Sequence, residues 1–583
     1  MELSPEVSAI ASLLLRDPSD VDVARLDRER FATAVHRNRA PLGVVNLEIS
    51  ATERPPTWVT DLLSLEKARL NQQQEGFRHV LGVLASRGIR SLLIKAAGYF
   101  PYTSDNIDVL IAEPELPDAA RALRTLGYRE VHHLREPYKW FFKTLGQSPL
   151  PPIHVHTQVA WINVFIDGRG VLDRGVQSEL GPACFFPSAD DILLVTVAHA
   201  VYEDKLITLR DIFHMWHALR SGIDVDRVRS IPRARGWERG FTLGCDWIAG
   251  LGAALEIPEP EALTQLVADR GSKAGPRRRG TYGAVAHTRT RTRTAPVPIS
   301  KPYIKGLHFQ KAWADSTITL EQKMKESIQL IWFAILVKSG PLRRSDSVIV
   351  ALCGQDGSGK TTVASATTDL LSPFAARSSY HWIRLGSSPF LESIKSLLEI
   401  PSKPSRKKPS TEAGSESSIG SSRRERLEQH PLLKEVWCWV LSADFLTRSW
   451  LATIAARARG GVHVFDRYTP DAEVDIAVGY GFGQHKTVAL LGPKPDLGVL
   501  LATPPTTAVA RSVTPRSQRD ALQSHALYSQ LGAAFELVCD ASRATPRDIA
   551  IAVAESALNV ADAKRQRADS GPEQPDHGKV MQR

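Results

Sequence analysis

Gly354-Gln355-Asp356-Gly357-Ser358-Gly359-Lys360-Thr361-Thr362, preceded by the apolar run Val348 to Leu352, decides how the second half of this chain folds. It fits G-x-x-x-x-G-K-[ST], a loop that wraps a nucleotide's phosphates between a buried strand and a helix N-terminus. Gly354, Gly357 and Gly359 let the backbone curl so that successive N–H groups, those of Ser358 and Thr362 among them, point at phosphate oxygens. Lys360, expected to be exposed in the loop, reaches the outer phosphates, and the Thr361 hydroxyl ligates the bridging Mg²⁺. Val363 to Leu371 is compatible with the helix that such a loop must open.

Working outward, strands and helices alternate from Ser347 to about Leu558, as a parallel α/β sheet requires. The predicted strands are Val348–Leu352, Tyr380–Arg384, Val462–Phe465, Leu497–Ala502 and Phe535–Cys539. Pro401 to Glu425, a Ser/Lys/Pro/Glu mixture almost free of apolar residues, reads as a disordered insertion in this domain of residues 345–560, and 561–583 as a disordered tail. Residues 271–344 form a basic linker and a connecting helix, Thr319 to Val337. Residues 1–270 make a further domain in which helical patterns alternate with short strands.

A chain of 583 residues exceeds the size of a single core. Its 43% apolar and 23% charged residues are those of an ordinary globular protein. Cys184, Cys245, Cys353, Cys438 and Cys539 are scattered, odd in number and without C-x-x-C spacing, which argues for a reducing compartment and against a disulfide framework or structural zinc. Met1-Glu2-Leu3-Ser4 lacks a secretory pattern, and the longest apolar run, Leu330 to Val337, is too short to span a bilayer, so a cytoplasmic location without membrane partners is expected. Much of the net charge of +10 sits in Arg277–Arg293 and Lys403–Lys408. No aromatic-interleaved basic patch accompanies it, so a solvated linker is the better reading than a nucleic-acid partner.

The second chemical landmark is Val464-Phe465-Asp466-Arg467-Tyr468, where a buried strand ends in an acid and a base. Ligands of open α/β sheets bind outside the carboxyl ends of the strands, so Asp466 and Arg467 face the glycine-rich loop. A carboxylate there holds Mg²⁺ or its water shell, and an arginine clamps a phosphate bidentately.

With Pro495-Asp496-Leu497 opening the next strand, residues 345–560 resemble the thymidylate kinase family. The resemblance implies a nucleotide kinase of P-loop NTPase fold, using ATP and Mg²⁺, with a nucleoside monophosphate or related small molecule as phosphate acceptor; a homodimer is a separate expectation. Asp356 and Tyr468 would then bind the acceptor, Arg467 its phosphate, and Asp466 would sit near Mg²⁺. The segment Arg511 to Arg519 would be the lid, with Arg511, Arg516 or Arg519 closing on the transferring phosphoryl group. Asp540-Ala541-Ser542-Arg543 would hold the adenine. Two stretches depart from the family. A serine normally follows three residues after the tyrosine, where this chain has Asp471 within Asp471-Ala472-Glu473-Val474-Asp475, and the acceptor loop after the second strand reads Arg384-Leu385-Gly386-Ser387-Ser388. The donor machinery is complete and the acceptor pocket rewritten. An ATP-binding regulatory protein, or a bifunctional nucleotidyltransferase–kinase, are the other classes compatible with these motifs.

Residues 60–220 resemble a nucleotidyltransferase-like family whose members are uncharacterised, with an α+β fold. The matching positions are Lys95-Ala96, Asn106-Ile107-Asp108, His154-Val155-His156, and Asp190-Asp191-Ile192 leading to His199. Metal-dependent nucleotidyl transfer needs two or three carboxylates around Mg²⁺. Only Asp108 stands where the resemblance expects one; Asn106 and His154 replace the others, and Asp105 faces away on a regular strand. A degenerate binding or scaffolding domain is the expectation. His154 and His156 share a strand face, where a hydrogen-bonded pair is a better reading than a transition-metal site.

Overall fold

The computed structural model describes residues 4–15, 26–45, 56–96, 98–146, 150–254, 257–268, 297–339, 347–388, 391, 431–480, 487–512, 517–532 and 535–569. The basic stretch Arg277–Arg293, the insertion 401–425, Arg516 and the last fourteen positions, 570–583, lie outside them. The chain divides into two compact units, Met1–Gly340 and Pro341–Arg583, both of mixed α/β construction.

The first unit is built on a mixed five-stranded sheet in the order β1-β2-β5-β4-β3, where β1 is Leu92–Leu93, β2 Ile107–Leu110, β3 Tyr128–Glu130, β4 Lys139–Thr144 and β5 Ile153–His156. β2 and β5 are parallel, pairing Asp108 with His154, and the other neighbours are antiparallel. The strand expected over Ile89 to Lys95 shrinks to two residues, because β2 offers it only Leu110 and Val109 as partners. The long helix α1 (Thr57–Ser86) buries Phe77, Val80, Leu81 and Leu84, spacings of three and four that lay one apolar stripe on the core. Helix α2 (Ala189–Ala198) is buried at every position and continues as one turn of π-helix, His199–Asp204, with an extra residue in the turn.

This unit reaches further than the composition implied. Val297–Pro298 pairs with Leu206–Ile207, and α3 (Lys301–Ala314) buries Ile304, Leu307, His308, Lys311 and Ala312. That i, i+3, i+4, i+7, i+8 pattern is an amphipathic helix, and Ile304 and Leu307 belong to the first unit's core. Residues 297–314 are thus structure, not linker. α4 (Leu320–Ser339) follows, one residue from the predicted start.

The second unit carries a five-stranded, wholly parallel sheet in the order β7-β8-β6-β9-β10. Its strands are β6 Ser347–Cys353, β7 Ser378–Trp382, β8 Gly461–Asp466, β9 Leu497–Ala502 and β10 Leu537–Asp540. All five predicted strands exist, with ends displaced by up to two residues. β6 is central and buried from Val348 to Cys353, as a strand covered on both faces must be. Its helices include α5 (Lys360–Leu371), α6 (Pro431–Arg459), α7 (Thr469–Tyr480), α8 (Pro505–Arg511), α9 (Gln518–Gln530) and α10 (Pro546–Asp569), with a short helix at Thr487–Leu491 besides. Helix α10 runs through Asp569, so 561–569, expected as tail, are helical; Ala554, Ala557, Leu558 and Ala561 continue its buried face. The five cysteines are free thiols. No helix among the described residues is long and apolar enough to cross a membrane.

Candidate functional site

The register of the parallel sheet brings the two chemical landmarks together. Leu352, two residues before the glycine-rich loop, pairs with Asp466 at the end of β8, and Trp382 flanks Asp466 from β7. Gly354, Gly357 and Gly359 all have positive φ, at 150°, 88° and 90°. A Cβ on Gly354 would meet the Leu501 carbonyl at 2.8 Å, and one on Gly357 would collide with the Ala508 carbonyl, so the loop's path excludes side chains at both. The loop delivers Lys360 to the first turn of α5.

Lys360 is buried, against the expectation of exposure. Its ammonium donates to the carbonyl of Gly354 and, at 2.9 Å, to that of Gln355, folding back over the loop it belongs to. Burial pulls its pKa down, countered by the carboxylates of Asp471, Asp356 and Asp466. Thr361 Oγ1 donates to Asp466 Oδ2 at 2.6 Å, and the Tyr380 hydroxyl to the same oxygen at 2.9 Å. Burial, then the Asp466 carboxylate, push the Tyr380 phenol up to about 12, so it remains a donor at neutral pH. Asp466 Oδ1 and Ser358 Oγ are buried and have no partner among the described residues.

Arg467 follows at φ 76°, a left-handed conformation that a non-glycine residue rarely adopts. Its Nη2 pairs with Asp356 of the loop and its Nη1 with Asp475 Oδ2 of α7 at 3.3 Å. Burial opposes its charge, but Asp475, Asp356 and Asp471 outweigh it and raise the guanidinium further. Tyr468, expected to bind the acceptor, is instead core: it is fully buried with its hydroxyl 3.1 Å from Thr453 Oγ1. Its ring meets that of Phe465 edge-on, with centroids 5.4 Å apart.

Asp356, Lys360, Thr361, Asp466 and Arg467 line a cavity of about 500 Å³ together with Trp382, Arg384, Arg511, Ser512 and an apolar wall that includes Ala541, Pro546 and Ile549. All the expected loop residues from Gly357 to Thr362 line it, as do Asp356, Asp466, Arg467 and Arg511. Arg511 also donates to the Ala541 carbonyl at 3.0 Å, tying the end of α8 to the loop after β10. Arg519 is exposed on α9 and is not among the lining residues. Arg516 lies outside the described residues.

Three contributors were not singled out from sequence. Asp471 Oδ1 accepts from the Gly354 N–H at 3.2 Å and the Tyr528 hydroxyl at 2.7 Å, while its Oδ2 accepts from the Tyr468 N–H at 3.1 Å. Tyr528 comes from α9 and Tyr380 from β7, neither near a motif. Asp471 did carry a signal, standing where the resemblance expects serine.

The donor set fits a nucleotide with Mg²⁺. The N–H-rich loop, a buried ammonium, a hydroxyl on a carboxylate and a partnerless carboxylate oxygen are what a triphosphate and a hard cation require.

In the first unit, Asp108 sits in a buried polar cluster. His156 Nε2 lies 2.9 Å and His154 Nδ1 3.4 Å from Asp108 Oδ1, Lys95 Nζ is 3.5 Å from the same oxygen, and Asn106 Nδ2 donates to Oδ2 at 3.2 Å. Glu203, presented by the π-helix, pairs with Lys95 at 3.2 Å, Lys139 at 2.8 Å and His199 at 3.1 Å, and accepts from the Trp161 indole. Burial would raise Asp108, but Lys95 and the two imidazoles hold it well below the carboxylate range. Burial pulls His156 down to about 4 and lowers His154. Asp105 is exposed and outside β2. Ala96 adopts φ 61°, a left-handed conformation, where the resemblance expects glycine. Asp108, His154 and His156 bring their ligand atoms within 4.8 Å of one another. A single carboxylate already facing an ammonium does not fit Mg²⁺.

Comparison with family models and with curated proteins returns no match for this chain.

Proposed function

We propose that the second unit is an ATP- and Mg²⁺-dependent kinase of P-loop type that transfers the γ-phosphoryl group to a small-molecule acceptor, as its resemblance to the thymidylate kinases implies. What supports this most is the hydrogen bond of Thr361 to Asp466 at the mouth of a glycine-rich loop, with the second Asp466 oxygen left over. A hydroxyl and a carboxylate converging beside phosphate-binding amides match the way such kinases hold Mg²⁺.

In this reading the loop amides and Lys360 bind the β- and γ-phosphates, and Lys360 leaves its loop carbonyls to do so. Bound Mg²⁺ would supply charge neutralisation between the two phosphates. Thr361 and Asp466 hold it, Tyr380 orients Asp466, and Asp471 braces Gly354 from behind. Arg511 and Arg467, which both line the cavity, add positive charge where the transferring group gains negative charge. Phosphoryl transfer then needs positioning and electrostatics, with no covalent enzyme intermediate. The first unit serves as a scaffold with a degenerate nucleotidyltransferase-like site.

Calorimetric titration of the full chain with the non-hydrolysable analogue AMPPNP, with and without Mg²⁺, tests the nucleotide site. Labelled ATP with a panel of nucleosides, nucleotides and sugars tests transfer. Mg²⁺-dependent binding that Lys360→Ala removes is the expected result, and absence of Mg²⁺-dependent binding by the wild type would overturn the reading.

A further inference from the structure

In this site the arginine beside Asp466 is already occupied. One arm of the Arg467 guanidinium pairs with Asp356 and the other with Asp475, and the side chain is only 11% exposed. Bidentate capture of a phosphate uses the same two arms. A phosphorylated acceptor could be gripped bidentately there only by breaking at least one of these ion pairs, so its phosphate competes with carboxylates already in place: Asp475 at 3.3 Å, and Asp356, which also has the Lys360 ammonium at 4.0 Å.

The charge around the cavity points the same way. Lys360, Arg384, Arg467 and Arg511 line it, against Asp356 and Asp466, with Asp475 directly behind Arg467. A nucleoside triphosphate with one Mg²⁺ is itself a dianion and uses the surplus positive charge. A phosphomonoester added beside it would bring a second dianion into a site with no positive charge left to meet it.

Helix α7 explains why the acids persist. Asp471 and Asp475 are four residues apart on it and therefore on one face, where like charges repel. Asp471 is held by three donors from the loop, Tyr468 and Tyr528, and Asp475 by Arg467. The helix thus carries two carboxylates on one face, one bound to the loop backbone and the other to Arg467.

We infer that Asp475 determines acceptor specificity by occupying one arm of Arg467, and that the acceptor is a hydroxyl compound without a phosphate group, such as a nucleoside or polyol, rather than a nucleotide or sugar phosphate. This rests on the kinase reading above. In the transfer, the acceptor's hydroxyl oxygen forms a bond to the γ-phosphorus and the bond from that phosphorus to the β,γ-bridging oxygen breaks. The bridging oxygen departs with ADP, and the hydroxyl proton passes to water. Arg467, fixed between two acids, faces the transferred group.

The test uses the full chain saturated with AMPPNP and Mg²⁺, titrated calorimetrically with inorganic phosphate as the probe. The wild type is expected to show no saturable phosphate binding, Asp475→Asn to gain it with at least about tenfold tighter apparent affinity, and Arg467→Gln in the Asp475→Asn background to lose it again. Retained AMPPNP affinity in Asp475→Asn reports an intact fold, and Asp475→Ser replaces it if that affinity is lost. Phosphate binding by the wild type that Arg467→Gln removes would overturn the inference, and so would variants at Asp475 that gain no phosphate binding. Failure of the wild type to bind AMPPNP with Mg²⁺ is a separate result: it removes the kinase reading and the inference with it.

Discussion

Thr361 Oγ1 and Asp466 Oδ2 lie 2.6 Å apart, joining the first turn of α5 to the end of β8. The sheet register makes this contact inevitable once the glycine-rich loop has turned, because Leu352 and Asp466 are paired across β6 and β8. Asp466 thereby shares one oxygen between Thr361 and Tyr380, and its other oxygen is buried and partnerless among the described residues. Asp466→Asn preserves shape and removes the charge. AMPPNP binding should lose its dependence on Mg²⁺, and turnover should fall by roughly 100-fold or more, the scale on which a preorganised electrostatic contact acts. Unaltered Mg²⁺ dependence in the titration would remove Asp466 from the metal site.

Lys360 gives a second expectation. Its ammonium is buried against the Gly354 and Gln355 carbonyls, so its removal touches the fold as well as the chemistry. Lys360→Ala should abolish turnover and cost about 1–3 kcal/mol of stability, since two buried carbonyls lose a charged donor. Urea denaturation beside a steady-state assay separates the two effects. A variant with full turnover contradicts the assignment of the loop.

The parallel sheet was legible because β6, β8 and β9 are buried and read as largely apolar runs, such as Val348 to Leu352, interrupted in β8 by His463. The loop was legible because its glycine spacing marks positive φ at Gly357 and Gly359, a region that glycine enters without steric cost. The burial of Lys360 was not, since it depends on how the loop closes over its own side chain. Nor was the place of Tyr468, whose motif position says nothing about which way a ring turns off a strand end. Tyr380 and Tyr528 reach the site from elements distant in sequence, and no local pattern marks that. In the first unit, α3 escaped notice because its stripe from Ile304 to Ala312 begins right after an Arg- and Thr-rich stretch that looks like linker.

Acid should loosen the first unit. Burial pulls His156, His214 and His308 down to about 4. A histidine whose folded pKa lies below its unfolded one, about 6.5, binds fewer protons when folded. Its stabilising effect is therefore complete above about pH 6.5 and is lost as the pH falls towards 4. Asp108, held low, adds a loss only at more acid pH, below its unfolded pKa of about 4. Denaturant midpoints should decline between pH 7 and 5, and His308→Gln should flatten part of that decline. A midpoint independent of pH over this interval would contradict the buried neutral imidazoles.

Asp108 itself should matter for folding and not for phosphoryl transfer. It is 2% exposed and pairs with Lys95, His156 and Asn106. Asp108→Ala leaves Lys95 with Glu203 alone and should destabilise the first unit by about 3–5 kcal/mol, the usual effect of removing one partner from a buried ion pair. Turnover per folded molecule by the second unit should stay within about twofold of the wild type. Loss of a Mg²⁺-dependent nucleotidyl transfer in this variant would mean the first unit is an active transferase.

Arg467 separates the roles that an arginine can have at this position. Its two nitrogen arms hold two different carboxylates, one on the loop and one on α7, while its backbone sits at φ 76°. Lysine carries a single compact charge and cannot span both acids, so Arg467→Lys breaks the bridge without deleting the charge. If Arg467 serves the transferring phosphoryl group, the bridge matters only as charge develops, and the loss appears in kcat with acceptor KM little changed. A fall of roughly 10- to 100-fold in kcat is the expected size for a misplaced charge that still sits within the site. If Arg467 instead gripped an acceptor phosphate, the same substitution would raise KM sharply and leave kcat near wild type at saturation. Titrating both substrates on wild type and variant distinguishes these cases, and a KM effect alone would count against the phosphate-free acceptor.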